Sequence, residues 1–490
     1  MAMNNLQDTS LANDLVRQLF EVAGLPDVDL SACQLTGDEP LLASSFHVGA
    51  MAQGTIAAAA LAAGQLAVLR GGTMPAIEVE LHDAEYECTG YFELDGRAPD
   101  SWAPLSGLYP CADGFVRIHA NFDHHRDGAL ALLGLQYHEA ATKKTVTKEM
   151  VIEALAGVSR LEFETRAAAA GMPIYALRSF TEWDALPQAK WLEQAPLFTM
   201  TRLADADPLV LPALPIASST EAGLPLADTR VLDLTRILAG PVCGRTLAHY
   251  GADVMLVNSP NLPNIEHIAD TSRGKRSVYL DLLKPDDATT LKHLVVDAHV
   301  FIQGYRPGGV AALGFSPEAL AALRPGIVSV SLSAFGKGSP WSDRRGFDSL
   351  VQTATGFNHA EGEAAAVFGL GTAMKVAAKA APKALPVQIL DFASGFIMAF
   401  AVSAALIRQQ QEGGSWHIEI SLAQTAHWLR SLGRSDHNFC ARELNLAAQM
   451  IHSESGFGLL GAMPHATKLN GQVLHPSLPS MPPGTHPAVW

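Results

Sequence analysis

One repeating pattern restricts this chain more than any other. From Arg230 onward, short apolar runs bounded by glycine alternate with helical stretches. Arg230–Thr235 reads as a strand, Leu238–Pro241 as a turn, Val242–Tyr250 as a helix stopped by Gly251, and Asp253–Val257 as a second strand. That order is a βαβ unit. The alternation continues with strand Ser277–Leu282, helix Pro285–Asp297, strand His299–Gln303, helix Pro317–Leu323 and strand Ile327–Leu332. Parallel strands need such crossovers, so the expected fold is α/β: a Rossmann-like, doubly wound parallel sheet that offers ligands the carboxyl ends of its strands.

A chain of 490 residues exceeds one such domain. A Pro- and Ala-rich connector at 203–227 divides it, with the Rossmann-like domain at 228–432 and a smaller α+β domain at 90–202. Residues 1–90 read as a helix and strand segment, and 433–490 as an extended, Pro-rich return. A loose surface stretch is expected at Glu361–Pro386. The apolar run Gly54–Arg70 is Ala-rich and reads as a closely packed buried helix rather than a membrane span.

A faint repeat links the halves. A helix from Gln53, an Arg, a Gly-Gly turn and Ile77-Glu-Val lead to Leu81. A helix from Asp391, an Arg, a Gly-Gly turn and Ile418-Glu-Ile lead to Leu422. Gln53 stands where Asp391 stands, so the first copy lacks the carboxylate.

Charge and composition remove several functions. A net charge of −15 repels phosphate backbones, so nucleic acid is not an expected partner. Five scattered cysteines without a CxxC pair fit a reducing compartment, and the polar start is unlike a signal peptide, so a cytoplasmic location is expected. His124-His125 lacks a third ligand at metal spacing, so no metal is expected. No GxGxxG supports a nicotinamide cofactor and no GxSxG supports a serine hydrolase.

Short motifs carry a family resemblance. They are Val231–Pro241, Tyr250-Gly-Ala-Asp-Val254, Ser272-Arg-Gly-Lys-Arg-Ser277, Gly304-Tyr-Arg-Pro-Gly308, Arg345-Gly-Phe-Asp348 and Ile389-Leu-Asp-Phe-Ala-Ser-Gly395. In this order they resemble the class III CoA-transferases, the CaiB/BaiF family. Tyr109–Ile118, the helix around Phe163–Ala170, Gly171-Met-Pro173 and Pro187-Gln188 resemble that family's smaller domain, so the domains stand in permuted order. The resemblance implies CoA transfer between an acyl-CoA and a small carboxylic acid, with coenzyme A as substrate, no tightly bound cofactor, and a homodimer. It implies that Asp391 is the nucleophile and forms an aspartyl-CoA thioester. A carboxylate opening a helix beside backbone N–H donors suits that task; an Asp there is otherwise a helix cap.

The resemblance places Asp348 as a second polar group near the site; a salt bridge to Arg344 or Arg345 is the plain alternative. It gives Arg306 to the CoA phosphates, where a fixed fork of donors fits. Arg236, Leu238 and Ala239 are expected to approach CoA in the first turn of the sheet. Arg273, Lys275 and Arg276 form a basic cluster for the nucleotide phosphates, or else a solvated charged turn. Related racemases carry His before the aspartate, where this chain has Phe347, which cannot accept a proton. A racemase, or a degenerate CoA-binding protein, are the alternatives to transfer. Asn258-Ser259 stands where the family has Glu-Arg.

Overall fold

A computed structural model describes residues 5–490 apart from 27, 38, 101, 138–145, 215–222, 368–380 and 436–443. The alternating pattern folds into a seven-stranded sheet. Its strands are β1 (Phe198–Ala204), β2 (Arg230–Leu234), β3 (Asp253–Asn258), β4 (Lys275–Tyr279), β5 (Val300–Gln303), β6 (Val328–Ser333) and β7 (Ser415–Ser421). Their order across the sheet is β4-β3-β2-β5-β6-β7-β1. Every pair is parallel except β7 with β1. The strands are apolar on both faces because crossover helices cover both. Leu232, Met255, Val278, Phe301 and Leu291 pack in one buried cluster on this sheet.

Among the helices, α1 (Asn5–Val22), α2 (Val48–Leu69), α3 (Ala239–His249) and α4 (Ile389–Glu412) concern the site. Helices α2 and α4 are long and apolar enough to cross a membrane by length and composition, yet both are core helices buried inside the protein. Small residues let them pack closely. A Cβ on Gly54 of α2 would stand 3.0 Å from the Ala12 carbonyl of α1.

The contacts divide the chain into two units. The larger comprises Met1–Pro99, Pro196–Ser333 and Ile389–Trp490; the smaller comprises Asp100–Ala195 and Ala334–Gln388. These boundaries differ from the sequence ranges 90–202 and 228–432. The chain leaves the sheet after β6 and returns at α4, and the excursion between them folds with the earlier segment. Tyr175 donates its hydroxyl to the Arg345 carbonyl, and Gln188 bonds both Phe335 O and Trp341 N. The smaller unit's three-stranded antiparallel sheet is Gly107–Cys111, Gly114–Ile118 and Ile174–Ala176.

Three sequence expectations are corrected. Glu361 is not on a surface loop. It lies buried in helix Phe357–Val367, against residues that follow: a Cβ on Gly362 would meet the Ala381 carbonyl at 2.3 Å. Part of the expected loose stretch, 368–380, lies outside the described residues. The return 433–490 is not merely extended. Ile451–Ser455 and Gly458–Ala462 form a sheet with Phe92–Leu94, and Thr467–Leu469 pairs with Ile77–Glu80. The connector 203–227 begins inside β1, whose last residue is Ala204.

Helix, strand, helix does recur in the two halves of the faint repeat. Helix α2, strand Ile77–Glu80 and helix Leu81–Cys88 parallel α4, β7 and helix Leu422–Ser431. Glu80 and Ser421 each cap the second helix from the strand's end. Gln53 is buried and donates to Thr36 O and Val79 O at 2.8 and 3.0 Å, so it serves as a fixed donor to the first copy's strands.

Candidate active site

In the larger unit, strands β2 and β5 are neighbours. From β2 the chain proceeds to β3 and β4 on one side, and from β5 to β6 and β7 on the other. The order reverses at this point, and the crevice outside the carboxyl ends of such strands takes ligands. Thr235, Arg236 and Leu238 follow β2, and Gly304, Tyr305 and Arg306 follow β5.

The turn after β2 is strained. Ile237 has φ 79, a left-handed value that a β-branched residue rarely adopts. Gly240 allows the turn to close, since a Cβ there would lie 2.4 Å from that of Thr235. Beneath it, Asp233 accepts from the Thr235 hydroxyl and from Lys275 Nζ, which also donates to Pro241 O at 2.8 Å. Leu238 gives α3 no side-chain cap, and Pro241 has no N–H. The first amides of α3 therefore start the helix without a side-chain acceptor from the cap, and such an end favours anions.

Asp391 lies in the first turn of α4 and is 8% exposed. The apolar run before it, Leu385–Gln388, is irregular rather than a strand. Four residues later, on the same helix face, Gly395 packs against the start of α3. A Cβ on Gly395 would be 2.6 Å from Ala239 O and 2.8 Å from Val242 Cβ. The start of α3 at Ala239 thus packs against α4 one turn beyond Asp391, and the first turn of a helix favours a carboxylate. Arg236 is half-buried; burial depresses its pKa, opposed by neighbouring Tyr305. Arg306 is exposed in the turn after β5.

The expected basic cluster is a correction. Lys275 has no exposed surface and pairs with Asp233 at 2.8 Å. Arg273 is buried against Asp270 at 2.6 Å, and Arg276 pairs with Asp253 at 2.8 Å. Each of the three is paired with a carboxylate, Asp270 being shared with Arg245, and Lys275 and Arg276 stand at the start of β4 rather than at its carboxyl end. Nothing within Ser272–Ser277 could reveal a partner as distant as Asp233.

Asp348, placed by sequence within the Rossmann-like range, belongs instead to the smaller unit. It starts helix Asp348–Thr355, is buried, and accepts from Gln352 Nε2. Arg344 approaches Glu164 at 3.7 Å, and Arg345 donates to His125. Asp348 attracts Arg117 and partly offsets the burial that lowers the Arg117 pKa. Phe347 stacks on His119, with ring centroids 3.9 Å apart. Sequence reasoning singled out neither Arg117 nor His119, because one basic residue in a short strand looks like an ordinary amphipathic position. Among the described residues, no cluster of His, Cys, Asp or Glu could hold a metal.

The profile of CoA-transferase family III matches residues 226–443. The chain is 33% identical over 217 residues to succinate–glutarate CoA-transferase of Agrobacterium fabrum, covering 40% of this chain and 51% of that one. It is 27% identical over 325 residues to an acyl-CoA transferase of Gibberella moniliformis, covering 65% and 55%. A solved CaiB/BaiF family protein from Brucella suis is 25% identical, with TM-score 0.37, covering 48% of this chain and 65% of that one. The chain thus spans about half the length of the curated relatives it matches. The matched region, residues 226–443, resembles CoA-transferase family III and contains the switch point, the strained turn and Asp391.

Proposed function

We propose that this protein transfers coenzyme A from an acyl-CoA to a carboxylic acid, with Asp391 as nucleophile. The observation that carries the reading is Asp391 in the first turn of α4, one turn before that helix packs against the start of α3, which follows a strained turn at the sheet's switch point. The carboxylate attacks the thioester carbonyl, and the C–S bond breaks to give a mixed anhydride and CoA thiolate. The thiolate attacks the Asp391 carbonyl carbon and expels the donor acid as its carboxylate. The resulting aspartyl-CoA thioester is attacked by the acceptor carboxylate, and thiolate is released again. That thiolate then attacks the acceptor's acyl carbon, which restores the Asp391 carboxylate. The negative charge that develops on each carbonyl oxygen is favoured by the helix-start amides. Arg236, Leu238, Ala239 and Arg306 border the crevice for the CoA portion, and no tightly bound cofactor is required.

Two relatives are named for dicarboxylic acids, succinate–glutarate and succinyl-CoA–D-citramalate, so such acids head the panel of candidates. The reading includes a cytoplasmic homodimer with the family's domains in permuted order. The test is intact-protein mass spectrometry after incubation with acyl-CoA donors, with and without hydroxylamine. A CoA or acyl adduct on Asp391, converted to a hydroxamate and absent from Asp391→Asn, is the expected result. Undiminished transfer by Asp391→Asn would overturn the assignment. Exchange of the α-proton without adduct would favour a racemase, against which Phe347 stands.

A further inference from the structure

The smaller unit contains a buried cation without a bonded partner. Arg117 lies in strand Gly114–Ile118 and is 8% exposed. Among the described residues, no hydrogen bond or ion pair reaches its guanidinium. It has only the Trp102 ring, 5.1 Å away, and the attraction of Asp348. Burial pulls its pKa down to about 10, which records how poorly the charge is compensated.

Two residues along, His119 is 5% exposed and its Nδ1 has no hydrogen-bond partner. Its ring is held between Phe347, stacked at 3.9 Å, and Trp102, edge-on at 6.3 Å. Burial and the Arg117 charge push its pKa down to about 3, so it is neutral and Nδ1 can carry a proton. His119 Nδ1 is a buried nitrogen without a partner, which costs its desolvation, and beside it the Arg117 guanidinium has no bonded acceptor among the described residues. Both would be satisfied by a small anion with two acceptor oxygens. A planar carboxylate matches the guanidinium fork. Asp348 does not fill this role, since it attracts Arg117 without bonding to it and accepts instead from Gln352.

We propose that Arg117 and His119 form a carboxylate-binding site in the smaller unit, which takes a small organic acid anion. The guanidinium supplies two parallel donors and His119 Nδ1 a third. Trp102, 41% exposed, forms the partly open side of the site. The role of the bound acid rests on the transfer reading above; the binding does not.

The test uses the full chain with glutarate as probe. Calorimetry should show glutarate binding that weakens at least tenfold in Arg117→Met, and the His119 ring-nitrogen resonances should shift on titration in the wild type. His119→Phe, which keeps the aromatic stack, is the second variant if Arg117→Met does not fold. Glutarate affinity equal in wild type and variants, or equal displacement by chloride, would overturn the subsite. So would an absence of binding together with a higher melting temperature in Arg117→Met, the result for a buried charge that serves nothing. Loss of glutarate binding in the variants without any transfer in the wild type would leave the subsite standing and defeat only the transfer reading.

Discussion

Glu85 shows how much a single buried carboxyl can govern. It has no exposed surface and accepts hydrogen bonds from Leu41 N and Leu42 N at 2.8 and 3.2 Å. Burial outweighs those bonds and pushes its pKa up to about 7. With a folded pKa above the unfolded one, its contribution is fully present below pH 4.5 and is lost as pH rises through about 7. Glu85→Gln removes that titration. Between pH 5 and pH 8 the wild type should therefore lose on the order of 3 kcal/mol relative to the variant, measured by urea unfolding at both pH values. A constant difference across that range would show that Glu85 titrates normally. At this scale, sequence reveals residues whose neighbours are local. Asp391 could be singled out because the motif around it, Ile389–Gly395, is contiguous. Lys275 and Arg117 could not be interpreted, because the carboxylates that define them, Asp233 and Asp348, are distant in the chain.

The meeting of α3 and α4 is the element on which the proposed chemistry depends. Gly395 is required there by proximity rather than by backbone freedom, since its missing Cβ lets the Ala239 carbonyl lie against α4. Gly395→Val forces backbone to move, an overpacking cost of about 1–3 kcal/mol. It also displaces Asp391 from the α3 start, so adduct formation should fall by at least tenfold while the far-ultraviolet spectrum is retained. Gly157→Ala, where a Cβ would meet nothing within 4 Å, is the control and should change neither quantity. Full activity in Gly395→Val would mean that the two helix starts act independently. The βαβ alternation was legible because apolar strands and glycine stops recur at regular distance. The helix at Phe357–Val367 was missed because Ala and Gly fit either a loop or a closely packed helix.

Across the whole chain, the sequence shows segments in order but not which of them fold together. Residues 334–388 interrupt the Rossmann-like pattern and belong with 100–195 through contacts such as Gln188 with Trp341. The larger unit has the converse problem, since its three segments must be joined. A buried polar network does this. Glu87 accepts from Arg245 Nη2 at 2.9 Å, from His465 Nδ1 at 3.0 Å and from Ala466 N at 2.8 Å. Arg245 also pairs with Asp270, which holds Arg273. Two carboxylates and two guanidiniums thus link the early and middle segments, and His465 and Ala466 bring in the late one, all but buried from water. Burial opposes the Glu87 charge, but His465 and Arg245 outweigh it and hold its pKa down to about 2. A carboxylate held low contributes stability above pH 4.5, and that stability is lost as pH falls through about 2. Glu87→Gln keeps the volume but leaves Arg245 with one carboxylate, which should cost about 3–5 kcal/mol at pH 7. The deficit should shrink as the wild-type carboxyl becomes protonated in acid. Urea unfolding from pH 7 to pH 3 measures both effects. A deficit below about 1 kcal/mol at neutral pH would mean that apolar contacts alone hold the three segments together, and that the ion network adds no more than an exposed pair does.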